Sequence, residues 1–218
     1  MRPMKHIFKL VTLSIALLTS QLSAAQKVVK VKFKGGNVYE GTIDDVKYSH
    51  GHGKMTYGNG DIYEGEWVHG LQQGLGTYTY KAGGKYEGNW DHGKIRGEGT
   101  FTYPNGDVLK ADFSDGESQT GKGTMTYAKG GTYEGELVDG QPHGSGKRVW
   151  PNGASYEGEW VEGKMEGYGE YRYASGTHYM GHFKDGKFHG EGVYTSAKTC
   201  EAVHGYWEDG KLIEELAN

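Results

Sequence analysis

One short phrase returns every 23 or 24 residues along this chain. It opens at Tyr39-Glu40-Gly41, Tyr63-Glu64-Gly65-Glu66-Trp67, Tyr86-Glu87-Gly88-Asn89-Trp90, Tyr133-Glu134-Gly135-Glu136-Leu137 and Tyr156-Glu157-Gly158-Glu159-Trp160. Weaker copies stand at Leu109-Lys110-Ala111-Asp112-Phe113, Tyr179-Met180-Gly181-His182-Phe183 and Val203-His204-Gly205-Tyr206-Trp207, so the period is unbroken from Tyr39 to Trp207. A fixed period of this length requires stacked units, each burying its apolar side against its neighbours. Such arrays offer an extended surface rather than an enclosed reaction centre.

Within a unit the pattern alternates. Tyr63, Gly65 and Trp67 fall on one side of a strand and Glu64 and Glu66 on the other. A turn follows at His69-Gly70, and the same slot holds His92-Gly93, Asp139-Gly140, Glu162-Gly163, Asp185-Gly186 and Asp209-Gly210. The chain returns through Gly74 to Tyr80, again with period two, and second turns such as Asn59-Gly60, Asn105-Gly106 and Asn152-Gly153 lead into the next unit. Each repeat therefore reads as a β-hairpin. The expected fold is all-β: one elongated, antiparallel, twisted sheet of about 16 strands. Val28 to Lys34 supplies a return strand at the front, and Lys211 to Ala217 closes the far edge as a strand or a short helix.

A single sheet must bury its apolar side chains against one another. The aromatic column Tyr57, Tyr80, Tyr103, Tyr127, Trp150 and Tyr173 recurs at repeat spacing beside glycines that leave room for rings. It is taken mainly as the core and also as the candidate interaction surface. The other side carries Glu64, Glu87, Glu134 and Glu157 among threonines and lysines, the pattern of a solvated β surface.

The first 25 residues differ in kind. Arg2, Lys5 and Lys9 precede a mostly apolar stretch from Ile7 to Leu18, and Ser23-Ala24-Ala25 has the small residues of a cleavage site. This reads as a secretory signal, cut after Ala25, that directs the chain to the periplasm or the exterior. Losing its three basic residues would take the formal charge from −4 to −7, which disfavours nucleic acid as a partner. Cys200 is the single cysteine, so no intrachain disulfide can form. Its thiol is either buried and inert or able to join two chains. The 39 glycines would suit a disordered linker, but 17 tyrosines and 5 tryptophans argue against one. The domain reading is a signal peptide at 1–25, a half-repeat cap at 26–38, seven repeats at 39–202, and a terminal half-repeat and cap at 203–218.

The full phrase, Tyr-Glu-Gly-Glu-Trp, a turn glycine, then His-Gly-x-Gly, resembles the MORN repeat (membrane occupation and recognition nexus). His50-Gly51-His52-Gly53, His143-Gly144-Ser145-Gly146 and His189-Gly190-Glu191-Gly192 carry its second half, while Gln73, Arg96, Thr120 and Glu166 stand in the histidine slot elsewhere. The resemblance covers about residues 28 to 212. It implies a scaffold for protein binding or dimerisation, with phospholipid binding as another family association. Catalytic domains found beside such arrays have no room here, and fold alone supplies no activity.

The residues suggest little chemistry of their own. Gly116 to Gly123 nearly spells a phosphate-binding loop but lacks the Ser or Thr after Lys122 and falls on the repeat period. His178 and His182 would lie over about 10 Å apart along a strand, so no metal site is expected. Cys200 near His204 is suggestive only by proximity. No catalytic residue and no cofactor is expected. Three departures from the repeat stand out: an inserted loop at Asp44 to Ser49, a loop at Ser114 to Thr120, and a lengthened turn at Ser196 to Glu201. Such departures are where repeat proteins bend, cap or bind. The expected function is an exported, non-catalytic scaffold for a protein partner or a second copy of itself. Peripheral binding of membrane lipid and binding of cell-wall glycan are the alternatives.

Overall fold

The computed structural model describes residues 27–114 and 120–217, and among them every regular element is a β-strand. The signal-like segment at 1–25 and most of the loop from Ser114 to Thr120 lie outside the described residues. The strands are β1 (Val29–Lys32), β2 (Val38–Ile43), β3 (Ser49–Thr56), β4 (Ile62–Val68), β5 (Leu71–Thr79) and β6 (Lys85–Asp91). They continue as β7 (Lys94–Thr102), β8 (Val108–Phe113), β9 (Gly121–Thr126), β10 (Thr132–Val138), β11 (Gln141–Val149) and β12 (Ser155–Val161). The last five are β13 (Lys164–Arg172), β14 (His178–Lys184), β15 (Lys187–Thr195), β16 (Ala202–Glu208) and β17 (Lys211–Glu215).

Each strand pairs antiparallel with the next in sequence, from β1 on β2 to β16 on β17. The result is one open 17-stranded meander. The repeat count led to about 16 strands. The additional one is β17, which settles the C-terminal stretch as strand.

Two kinds of turn drive the meander. At His69-Gly70 both residues have positive φ, 47° and 84°. That is the two-residue turn whose twist suits the flanking strands. The same conformation recurs at His92-Gly93, Asp139-Gly140, Glu162-Gly163, Asp185-Gly186 and Asp209-Gly210. At the opposite end, Tyr57 donates its amide to the Asp61 carbonyl at 2.9 Å and accepts from the Gly60 amide at 2.8 Å. Phe33 makes the equivalent bond to Asn37, so β1 enters the array as a return strand. These loops are tied one to the next: Asp61 Oδ1 accepts the Lys81 amide and Asp107 Oδ1 accepts the Ala128 amide, each at 2.8 Å.

The core follows from a row of glycines. Cross-strand partners run Gly41, Gly53, Gly65, Gly76, Gly88, Gly99, Ala111, Gly123, Gly135 and onward to Gly205, with Ala111 the one interruption. On this row lie the tyrosines that open each repeat. A methyl carbon on Gly76 would sit 2.6 Å from the Tyr63 ring, so the ring occupies the space a side chain would fill. Tyr39, Tyr63, Tyr86, Tyr133, Tyr156 and Tyr179 are all fully buried. Tyr63 meets Trp67 and, from the next repeat, Trp90 edge-on, with centroids 5.1 and 5.0 Å away. Pairs of this geometry are worth about 0.5–1.5 kcal/mol beyond area burial.

Both polar handles are satisfied. The Tyr156 hydroxyl donates to the Glu159 carbonyl at 3.0 Å, and the Trp160 indole donates to the Gly146 carbonyl at 3.0 Å. Where the tyrosine hydroxyl reaches the backbone, the ladder slips. Gly65 faces Gly76 while Glu66 faces Gln73, leaving Gly74 and Leu75 as a bulge. Bulges of this kind bend the strand and sharpen its twist. A single layer can thereby curl around its own rings.

Repeat four departs from the pattern in two positions at once. Leu109 replaces the tyrosine and is fully buried, and Ala111 replaces the glycine beneath it. The shorter side chain leaves space for the extra methyl. Leu109→Tyr alone is expected to overpack the site and cost about 1–3 kcal/mol. Leu109→Tyr with Ala111→Gly should recover that loss, with the urea midpoint as readout. If the double variant is as unstable as the single, the pairing argument is wrong.

The core is one row away from the column expected from the sequence. Tyr57, Tyr103, Tyr127 and Trp150 are half-buried against the core, and Tyr173 is 39% exposed. The reason is local: each of these residues follows the last residue of its strand and opens a turn, as the Gly60 amide on the Tyr57 carbonyl shows. Their rings therefore flank the glycine row. There they interleave with Tyr78, Phe101, Tyr171 and Tyr194 in a second aromatic band, Tyr80 standing 4.7 Å from Tyr78 and 5.7 Å from Phe101.

Candidate interaction surface

On the face opposite the rings, alternation places the second and fourth residues of each phrase in solvent. Register then sets charges across from one another: Glu64 faces Lys54 and Thr77, and Glu157 faces Lys147 and Glu170. Lys147 Nζ lies 3.0 Å from Glu157 Oε2 and Lys54 Nζ lies 3.9 Å from Glu64 Oε2. Exposed pairs of this kind contribute about 0–1 kcal/mol each. Their effect on the surface potential matters more here than their effect on stability.

Shallow depressions lie on this face. One of about 1040 Å³ runs across β9 to β14. Its floor is the backbone of Gly123, Gly135, Gly146, Gly158 and Gly169, and its walls are the side chains beside those glycines. Glu134, Glu136, Glu157, Glu159 and Glu170 outnumber Lys122 and Lys147. Tyr168 and Met180, 51% and 42% exposed, add apolar surface. Glu159 also accepts the Tyr168 amide at 3.0 Å, which orders that part of the wall. The arrangement can hold an extended, basic chain by charge and by two apolar contacts.

Other sequence candidates fall elsewhere. The expected aromatic column, Tyr57 to Tyr173, is on the ring side, with Arg148 stacked 4.3 Å from the Tyr127 ring and 5.3 Å from Trp150. Cys200 is exposed, with φ of 58° in the turn before β16; it is not a buried thiol. His204 Nε2 lies 2.8 Å from Glu191 Oε1. Of the phosphate-loop resemblance, residues 116–119 lie outside the described residues, and Gly121 to Gly123 begin β9. His178 and His182 on β14 contact different carbonyls, those of Gly176 and Glu191.

Metal-type donors gather at a place the repeat pattern does not mark. Asp44, His50 and His69 stand together at the first repeat. Two of them flank or lie in the inserted loop already marked as irregular. The third is a turn residue one repeat later, which only the hairpin stacking brings near.

One hairpin unit copied along an axis, with its rings on one face and its charges on the other, defines a β-hairpin repeat array. The MORN repeat matches residues 48–62, 63–85, 86–108, 119–132, 133–155, 156–178 and 179–200. The chain belongs to the MORN repeat family. No curated protein matches it. Among solved structures it is similar to the SAS-4 (dCPAP) TCP domain of Drosophila melanogaster, in complex with a proline-rich motif of Ana2 (dSTIL). That likeness has 13% identity and a TM-score of 0.46, covering 85% of this chain and 93% of the other. It is also similar to the TCP10 domain of Danio rerio CPAP in complex with a STIL peptide, at 16% identity and a TM-score of 0.34, covering 89% and 96%. At these values neither likeness bears on what this chain binds.

Proposed function

We propose that this protein is an exported, non-catalytic repeat scaffold that binds a protein partner along its carboxylate-bearing face. The observation that carries the reading is the long groove over the glycine row of β9 to β14, walled by glutamates with Tyr168 and Met180 as apolar contacts. Its chemistry fits an extended segment rich in lysine or arginine. Export rests on the basic head and apolar stretch of residues 1–25. Self-association is a second form of the same reading. It is favoured by the edge strands β1 and β17, which are paired on one side only among the described residues.

A photo-crosslinking side chain at position 168 tests the proposal in the native extract. The expected result is a discrete protein adduct that disappears when Glu134 and Glu157 are changed to lysine and that weakens with added salt. Adducts made only of lipid or glycan, or a protein adduct indifferent to both reversals, would reject it. Light scattering with and without reductant separates a sheet-mediated dimer, which survives reduction, from one joined through Cys200.

A further inference from the structure

We propose that Asp44, His50 and His69 form a binding site for a divalent transition-metal ion of the zinc class. Each offers one donor atom, and the three donors lie within 4.8 Å of one another. Zinc bonds of about 2.0–2.2 Å to imidazole nitrogen and carboxylate oxygen place tetrahedral ligands roughly 3.4 Å apart. Side-chain movement of little more than about an ångström closes the set around such an ion.

The donors are positioned by three different segments. Asp44 opens the inserted loop and is held by the Tyr48 amide, which donates to its Oδ1 at 2.7 Å, and by the bond from the Asp44 amide to the Tyr48 carbonyl at 2.9 Å. His50 belongs to β3, and its backbone carbonyl accepts the Thr42 hydroxyl. His69 is the first residue of the next turn, which is fastened to the same strand by the Gly70 amide on the Ser49 carbonyl at 2.9 Å. The His69 Nδ1 lies 2.8 Å from Asp44 Oδ2, and the two imidazole rings are 5.6 Å apart.

The other repeats show what is unusual about this one. In the slot of His50, Gln73 and Glu166 each accept the amide of the adjoining turn, from His92 at 3.1 Å and from Asp185 at 2.9 Å. The Nδ1 of His50 is instead buried with no hydrogen-bond partner. A buried nitrogen left without a partner is costly. An ion shared with a carboxylate and a second imidazole satisfies it. Asp44 is 12% exposed and His69 69% exposed at the side chain, so the ion has one sheltered side and one open side where water completes four-coordination. Two imidazoles and one carboxylate suit zinc, nickel or copper better than magnesium or calcium.

The test uses the tag-free chain, stripped with chelator and titrated with Zn²⁺ by calorimetry and with Co²⁺ by visible absorption. The expected result is one saturable ion per chain, a tetrahedral cobalt spectrum, and a higher Tm with zinc. His50→Gln installs the residue used by the second repeat, and His69→Asn keeps a side chain that tolerates positive φ. Both are expected to fold and to lose affinity at least about tenfold. His178→Asn is expected to bind as the parent does. Equal affinity in the parent, His50→Gln and His69→Asn, or an absence of saturable binding in the parent, would overturn the assignment.

Discussion

Gly158→Ala is expected to destabilise the array by about 3 kcal/mol or more, the upper range for overpacking by one carbon. The added methyl would lie 2.6 Å from the Gly169 Cα and 2.7 Å from the Tyr168 carbonyl oxygen, and 2.6 Å from the Tyr156 hydroxyl. Two of those neighbours are backbone in a paired strand, so the register of β12 on β13 would have to open. The third is a fully buried ring. Repeat four indicates a partial remedy, because Leu109 sits above Ala111 there. Tyr156→Leu together with Gly158→Ala should therefore be less damaging than the sum of the two single changes. Denaturant melts of the four proteins measure this. A loss below about 1 kcal/mol for Gly158→Ala would show that the rings do not rest on the glycine row as described.

High pH is expected to unfold the protein over a defined window. Burial pushes Tyr86, Tyr133 and Tyr179 up to about 12, and it raises Tyr63 and Tyr156 further. In an unfolded chain the same phenols ionise near about 10. Above that pH the unfolded state has lost protons that the folded state keeps, so stability falls as pH rises. The contribution of Tyr86, Tyr133 and Tyr179 is complete below about pH 10 and is gone once pH passes their folded values of about 12, and that of Tyr63 and Tyr156 is lost at still higher pH. Because they occupy equivalent places in successive repeats, their losses accumulate along the array. Tyrosinate absorbance and near-ultraviolet circular dichroism should change together. Ionisation of all 17 tyrosines near pH 10 with the dichroism intact would contradict the burial.

Much of this architecture was legible in the repeat itself. The Tyr-Glu-Gly alternation announced strands, the His-Gly and Asp-Gly pairs announced tight turns, and the period announced stacking. The aromatic core lies one row from the predicted column, because period-two alternation alone does not distinguish a tyrosine near the start of a strand from one that follows its end. Tyr63 and Tyr57 are both aromatic, both beside glycines and both repeated. What separates them is the glycine row formed across strands, where Gly65 meets Gly76 and frees the space that Tyr63 fills.

The polar face was also foreseen as exposed glutamate and threonine, yet its groove was not. Its lining depends on cross-strand register, which brings Gly123, Gly135, Gly146, Gly158 and Gly169 of separate strands into one row between the glutamates. The Asp44, His50 and His69 cluster lay further from view. Its members are separated by up to 25 residues and come together only when one hairpin turn is laid beside the loop of the preceding unit.

Local alternation, turn chemistry and periodicity are properties of neighbours along the chain, so the hairpin unit, its number of copies and its family could be read directly from the residues. Which rings are buried, where the carboxylate face deepens and which histidine nitrogen lacks a partner depend on cross-strand register and on contacts between repeats. Those arise only when the units stack, because each hairpin supplies half of the packing that its neighbour completes.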